Sequence, residues 1–280
     1  MIHFEQTGRG PALVLVPGLA ATTRFFDPLV TDLARDHRVI TLDLAGQGLS
    51  PTGAQPSTLA RAVHDLRAVL LALDVRDAVL IGWSLGATVA YGYLEQHGDD
   101  RVTALVSVEQ TPRLLGGDDW AYGAFGGLTP QAAREFADAL GAGGRDAVAN
   151  LVRGSFAAGS EPEPALLEHL VAQGAASDPA ALRSLFSDAL AQDWRERITA
   201  VTVPTLLVHG ARSAVYPPAV ADWLAAALPD AAVAPFPDSG HLPFLEETER
   251  FAAVVRGFAA RHTGRPHADQ QRTDRQTSTR

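Results

Sequence analysis

One pentapeptide constrains this chain more than any other feature. Gly82-Trp83-Ser84-Leu85-Gly86 lies directly between the apolar run Ala78-Val79-Leu80-Ile81 and a helical segment, Ala87 to Leu94, that stops near Gly98. A strand turning sharply into a helix holds a serine in a strained conformation and projects its Oγ off the sheet. Glycines two residues to either side remove the Cβ atoms that would collide in so tight a turn. The helix that begins there aims its first N–H groups at a developing oxyanion. The spacing and its context therefore point to Ser84 as a nucleophile, with the Leu85 N–H as one oxyanion donor.

The flanking pattern agrees with such a turn. Ala12–Val16 is a continuous apolar run closed by Pro17-Gly18, and Arg38–Leu42 and Thr103 to Val108 are two more. Short β-branched runs of this kind predict buried parallel strands. Between them, Thr58 to Leu73 places Leu59, Ala62, Val63, Leu66, Leu70 and Leu73 at helical spacing, with Pro56-Ser57 in front as a helix start. From Pro112 to about Arg197 strand-like runs vanish. Alanine-rich helical segments at Gln131–Leu140, Asp146–Arg153, Pro164–Val171 and Ala180–Ala191 take over, separated by glycine-rich breaks. Strand signals resume at Thr205–Val208 and Ala231–Phe236. The predicted class is α/β: a doubly wound, mostly parallel sheet with an all-helical cap insertion. The expected division is a core in two parts, 1–111 and 198–261, a helical cap over 112–197, and a disordered tail over 262–280 whose polar sequence offers no apolar face.

A nucleophilic serine needs a base, and nine histidines are on offer. His241 stands out in Asp238-Ser239-Gly240-His241-Leu242-Pro243, just past the last predicted strand, where a loop reaches the same sheet edge as Ser84. His209 directly ends a strand and is expected to be structural. Val16-Pro17-Gly18-Leu19 ends the first core strand at that edge, so the Leu19 N–H is the expected second oxyanion donor.

Other chemistries find little support. The chain lacks cysteine, which removes thiolate nucleophiles, disulfides and cysteine metal sites. Asp118-Asp119 with scattered histidines lacks metal-ligand spacing, and Gly46-Gln47-Gly48 lacks the third glycine of a dinucleotide loop. No metal or cofactor is implied. A net charge of −9 disfavours nucleic acid and anionic membranes, and no secretory segment or transmembrane-length run is visible. A soluble cytoplasmic protein acting on a small molecule is expected; the sequence leaves its oligomeric state open.

At this point the chain resembles the α/β-hydrolase superfamily over residues 1 to about 261. The matching stretches are Val14–Leu19, Asp43-Leu44-Ala45-Gly46-Gln47-Gly48-Leu49-Ser50, Gly82–Gly86, Val203–Gly210 and Ser239–Glu246. The family usually has arginine and histidine where this chain has Ala45 and Gln47, a departure that bears on loop packing rather than catalysis. In most members the orienting aspartate stands three residues after the glycine ending the penultimate strand, and here that position is Ser213. Some members place the acid after the strand preceding the cap instead. Glu109, directly after Val106-Ser107-Val108, occupies that place. The resemblance implies a triad of Ser84, His241 and Glu109, the alternative being a Ser–His pair supported by Ser213.

The expected activity is that of a serine hydrolase on a carboxylic ester, lactone or thioester of a small apolar molecule, through an acyl-enzyme on Ser84. Trp83, Trp120, Tyr122 and Phe125 are expected to shape an apolar pocket. On the same fold, a cofactor-free dioxygenase or C–C bond hydrolase using His241 as base is the alternative, and a non-catalytic ligand-binding member is the third class.

Overall fold

The computed structural model describes residues 2–263, so the tail expected over 262–280 lies almost wholly outside the described residues. One seven-stranded sheet carries the molecule. β1 (Phe4–Thr7), β2 (Ala12–Val16), β3 (Arg38–Leu42), β4 (Ala78–Trp83), β5 (Val102–Val108), β6 (Thr205–Gly210) and β7 (Ala231–Phe236) lie in the order β1-β3-β2-β4-β5-β6-β7. Only β1 is antiparallel, pairing with β3 along the edge.

Helices cover both faces. Leu13 and Leu15 of β2 point into one core, with α1 (Asp27–Leu33) and α10 (Thr248–His262). Val14 and Val16 point into the other, with α2 (Leu59–Ala72), α3 (Leu85–His97) and α8 (Val220–Ala227). Side chains alternate across a strand, so a strand buried on both faces must be apolar throughout, and β2 and β4 are. None of the described helices is long and apolar enough to cross a membrane.

The chain passes from β2 to β3 on one side and returns to β4 on the other. Such a reversal opens a crevice at the carboxyl ends of the two central strands. Leu19 follows β2 and Ser84 follows β4, so both stand at that crevice.

Between β5 and β6 the chain forms α4 (Pro130–Gly141), α5 (Arg145–Ser155), α6 (Pro164–Ala175) and α7 (Pro179–Leu190), with no strand in this stretch. Proline stands in the first turn of α4, α6 and α7, and Thr129, Glu163 and Asp178 cap their N-termini. The Asp178 N–H donates to Gly46 O at 2.8 Å, tying this insertion to the loop after β3. A short α9 (Pro243–Glu246) follows His241.

Candidate active site

Ser84 sits at φ 54° and ψ −124°, a left-handed conformation that costs a serine on the order of 1–3 kcal/mol. The surroundings hold it there. A Cβ on Gly86 would lie 2.1 Å from Val16 O, and one on Gly82 would lie 2.5 Å from Gly86 O, so both glycines are sterically required. The Ser84 N–H donates to Val108 O at 2.8 Å. Gln110 Nε2 donates to Ser84 O at 2.7 Å and to Thr88 Oγ1 at 2.9 Å, bracing the turn from β5.

His241 is held at both ends of its peptide unit. Its N–H donates to Ser155 O at 2.7 Å, and Trp83 Nε1 donates to its carbonyl at 2.7 Å. The ring Nδ1 lies 2.9 Å from Glu109 Oε2. Glu109 is wholly buried, and its carboxylate accepts from the Gly210 N–H at 2.8 Å and from Ser213 Oγ at 2.7 Å. His209 Nδ1, also buried, is 3.3 Å from Oε1. Burial by itself would raise the Glu109 pKa, but the two facing histidines, His209 and His241, outweigh it and hold the carboxyl at about 2. An ionised carboxylate only accepts, so the proton of a neutral His241 ring belongs on Nδ1. That leaves Nε2 as the basic nitrogen.

Ser84, His241, Leu19 and Leu85 line one pocket under the insertion. The Leu19 loop has its own clamp. Gln47, fully buried, donates from Nε2 to Gly18 O at 3.3 Å and accepts from the Ala20 N–H at 2.5 Å. It thus grips the chain on both sides of Leu19, while Ala20 itself sits at φ 54°. Leu114, Leu128, Phe136, Leu151, Phe186 and Val215 make most of the remaining wall, with no Asp, Glu, Lys or Arg among the lining residues.

Of the four aromatic residues expected at the pocket, Phe125 lines it and three lie elsewhere. Trp83 points to the opposite side of its strand, against Phe25 and Phe244, because the residue before the elbow serine alternates away from it. Trp120 packs on Tyr122 and Trp223 at ring separations of 5.1 and 5.0 Å, under the Arg195 guanidinium, so Trp120 and Tyr122 belong to the packing of the segment that follows β5. Two residues at the site escaped the sequence reading. Gln110 had no local signature beyond following Glu109. Tyr216, 4% exposed, lines the pocket together with Ser84, its ring edge-on to His241 at 5.4 Å. Among the described residues no cluster of three His, Cys, Asp or Glu side chains is arranged to hold a metal ion.

Comparison with known proteins agrees with this architecture. A family model described as alpha/beta hydrolase fold matches residues 11–248. A pimeloyl-acyl-carrier-protein methyl ester esterase of Nitrosomonas europaea is 32% identical over 267 residues, covering 90% of this chain and 97% of the relative. Among solved structures, an esterase from Exiguobacterium antarcticum superposes with a TM-score of 0.86 at 23% identity, covering 92% of this chain and 95% of that one. A bromoperoxidase from Bacillus anthracis superposes with a TM-score of 0.85 at 23% identity, covering 92% and 94%. At such identities the structural likeness bears on the fold alone.

Proposed function

The chain belongs to the alpha/beta hydrolase fold family, and from that premise we propose that it is a serine hydrolase cleaving carboxylic esters through an acyl-enzyme on Ser84. One observation carries the reading: Ser84 and His241 line one apolar pocket while a buried, ionised Glu109 holds His241 Nδ1 at 2.9 Å. Ser84 Oγ attacks the ester carbonyl as His241 Nε2 takes its proton. The Leu19 and Leu85 N–H groups receive the oxyanion. His241 then returns the proton to the alkoxy oxygen as the C–O bond breaks. Water repeats the sequence to release the acid and regenerate Ser84. Glu109 stabilises the imidazolium in each half-reaction.

The pocket wall also describes the substrate. Without a cation to meet a carboxylate, it suits the uncharged, apolar part of an acyl chain next to the scissile bond. Relatives at 30–32% identity are named for the methyl ester of a carrier-bound acyl chain, so a methyl ester of an aliphatic acid is the first substrate to try. Lactones and thioesters share the same tetrahedral chemistry.

A fluorophosphonate probe tests the nucleophile. Modification mapped to Ser84, and loss of ester hydrolysis by a factor on the order of 10⁴ or more in Ser84→Ala, are the expected results. Substantial turnover by Ser84→Ala would transfer the reaction to His241 acting directly on the substrate and remove the acyl-enzyme.

A further inference from the structure

Tyr216 lines the pocket beside His241 and carries a hydroxyl that the proposed triad does not use. Strand order fixes the side from which it approaches. Leu19, after β2, lies on one flank of the Ser84 strand, whereas β5 and β6, which lead to Glu109 and Tyr216, lie on the other. Its backbone is fastened to the acid: the Val215 and Tyr216 N–H groups point at Ser213 Oγ, 3.2 and 3.3 Å away, and Ser213 in turn donates to Glu109. The ring packs edge-on against His241, and Tyr216 shares the pocket wall with Ser84. Burial, with the Glu109 charge nearby, raises the phenol above its ordinary value. Tyr216 therefore keeps its proton through the working range and acts as a donor.

Besides Ser84 Oγ, the tetrahedral intermediate carries two oxygens that face different groups. The oxyanion must face Leu19 and Leu85, and the alkoxy oxygen must face His241 Nε2 to be protonated as it leaves. A hydroxyl packed beside the histidine, across Ser84 from the oxyanion loop, meets the second of these.

Resting on the acyl-enzyme reading above, we propose that the Tyr216 hydroxyl is a further catalytic group, donating a hydrogen bond to the leaving-group oxygen and fitting the site to esters of simple alkanols. Tyr216 retains its own proton throughout; the proton that accompanies the departing alcohol is the one His241 took from Ser84. An alkoxide is a far stronger base than a nitrophenoxide, so charge on the departing oxygen matters most for methyl and ethyl esters. It matters least for activated aryl esters.

The test is Tyr216→Phe, which keeps the ring and deletes the donor, assayed on methyl and p-nitrophenyl esters of one acyl group. Only the acyl-forming half-reaction differs between them, and kcat/KM reports that half. The expected result is a fall of roughly 10- to 30-fold on the methyl ester, the size of one lost hydrogen bond and the stabilisation it gives, with less than about threefold on the aryl ester. The ratio of the two rates within one preparation cancels any difference in the fraction folded. Equal losses on both esters would make Tyr216 a positioning residue for Ser84, and no loss on either would make it packing; either result overturns the proposal. Fluorophosphonate labelling of the parent enzyme separates the two levels: without labelling at Ser84 the acyl-enzyme reading fails, and with labelling but an unchanged ratio only the role of Tyr216 fails.

Discussion

Ser213 Oγ donates to Glu109 Oε2 at 2.7 Å, so the residue standing where the family usually carries its acid hydrogen-bonds the acid that stands elsewhere. The two candidates for the third catalytic group are thus partners. Glu109 reaches this point from the end of β5 with its backbone in a left-handed turn, φ 50°. Ser213, whose oxygen also lies 3.2 and 3.3 Å from the Val215 and Tyr216 N–H groups, holds the opposite loop against it. One carboxylate links the ends of β5 and β6 and the His241 loop.

The arrangement predicts unequal costs for the two residues. Glu109→Gln removes the charge facing the imidazolium and turns an NH₂ toward groups that already donate. Turnover is expected to fall by a factor on the order of 10² to 10⁴, as it does when a triad carboxylate becomes an amide. Ser213→Ala removes one neutral donor and is expected to cost less than about tenfold. Steady-state rates on one ester settle the order; a crippled Ser213→Ala beside a mild Glu109→Gln would reverse the assignment.

Exchange of the two groups is a sharper test. In the double variant Glu109→Ser, Ser213→Asp, the new carboxylate replaces the serine oxygen facing the Val215 and Tyr216 N–H groups and occupies the family's usual acid position. Activity is expected to recover at least tenfold over Glu109→Ser alone. A double variant no faster than the single one would show that His241 can be served only from β5.

The acid limb of stability carries a signature of the same carboxylate. The Glu109 pKa is about 2 in the folded chain against an ordinary 4.5, held down by His209 and His241 against the opposing effect of burial. A lowered folded pKa contributes stability that is present above the ordinary value and lost as pH falls through the folded one. Between about pH 4.5 and 2, Glu109 should therefore add up to one proton to the pH dependence of unfolding, about 1.4 kcal/mol per pH unit at most. Urea unfolding midpoints for the parent and Glu109→Gln should converge as pH falls through that window. Parallel curves would show that the carboxyl titrates normally.

Much of the frame was legible because its central strands are buried on both faces and so appear as unbroken apolar runs. Ala12–Val16 and Arg38–Leu42 have the same bounds in sequence and structure, and so does Ala231–Phe236, an edge strand that is apolar although largely exposed. The half-exposed edge strand Phe4–Thr7 and the seven-residue Asp27–Leu33 helix lacked such a run and were not foreseen. In the site, the Ser84 turn was readable because its geometry is local, whereas Glu109 became visible only through the family resemblance. The pocket was not readable: whether Trp120 faces a substrate or Trp223 depends on packing between segments about a hundred residues apart. Tyr216 likewise acquires its place from a turn whose closure depends on Ser213 and Glu109.

Gln47 offers the last test, because the sequence marked it as a departure and the structure sets it at the oxyanion loop. Its amide bridges Gly18 O and the Ala20 N–H, fixing the peptide on either side of Leu19. Leucine is close in size but makes neither bond, so Gln47→Leu leaves a buried carbonyl and a buried N–H unpaired, at about 1–3 kcal/mol of stability. The catalytic consequence is distinct. Deleting an oxyanion donor outright costs about 10² to 10³ in turnover, and loosening one whose N–H remains present should cost less, on the order of tenfold. Because the oxyanion exists only beyond the ground state, the loss should fall on kcat with KM little changed. Affinity for a trifluoromethyl ketone, which forms a tetrahedral adduct with the serine, should weaken by the same factor as kcat/KM. A Gln47→Leu enzyme with raised KM, unaltered kcat and undiminished ketone binding would show that the clamp shapes the pocket entrance and leaves the Leu19 N–H where it was.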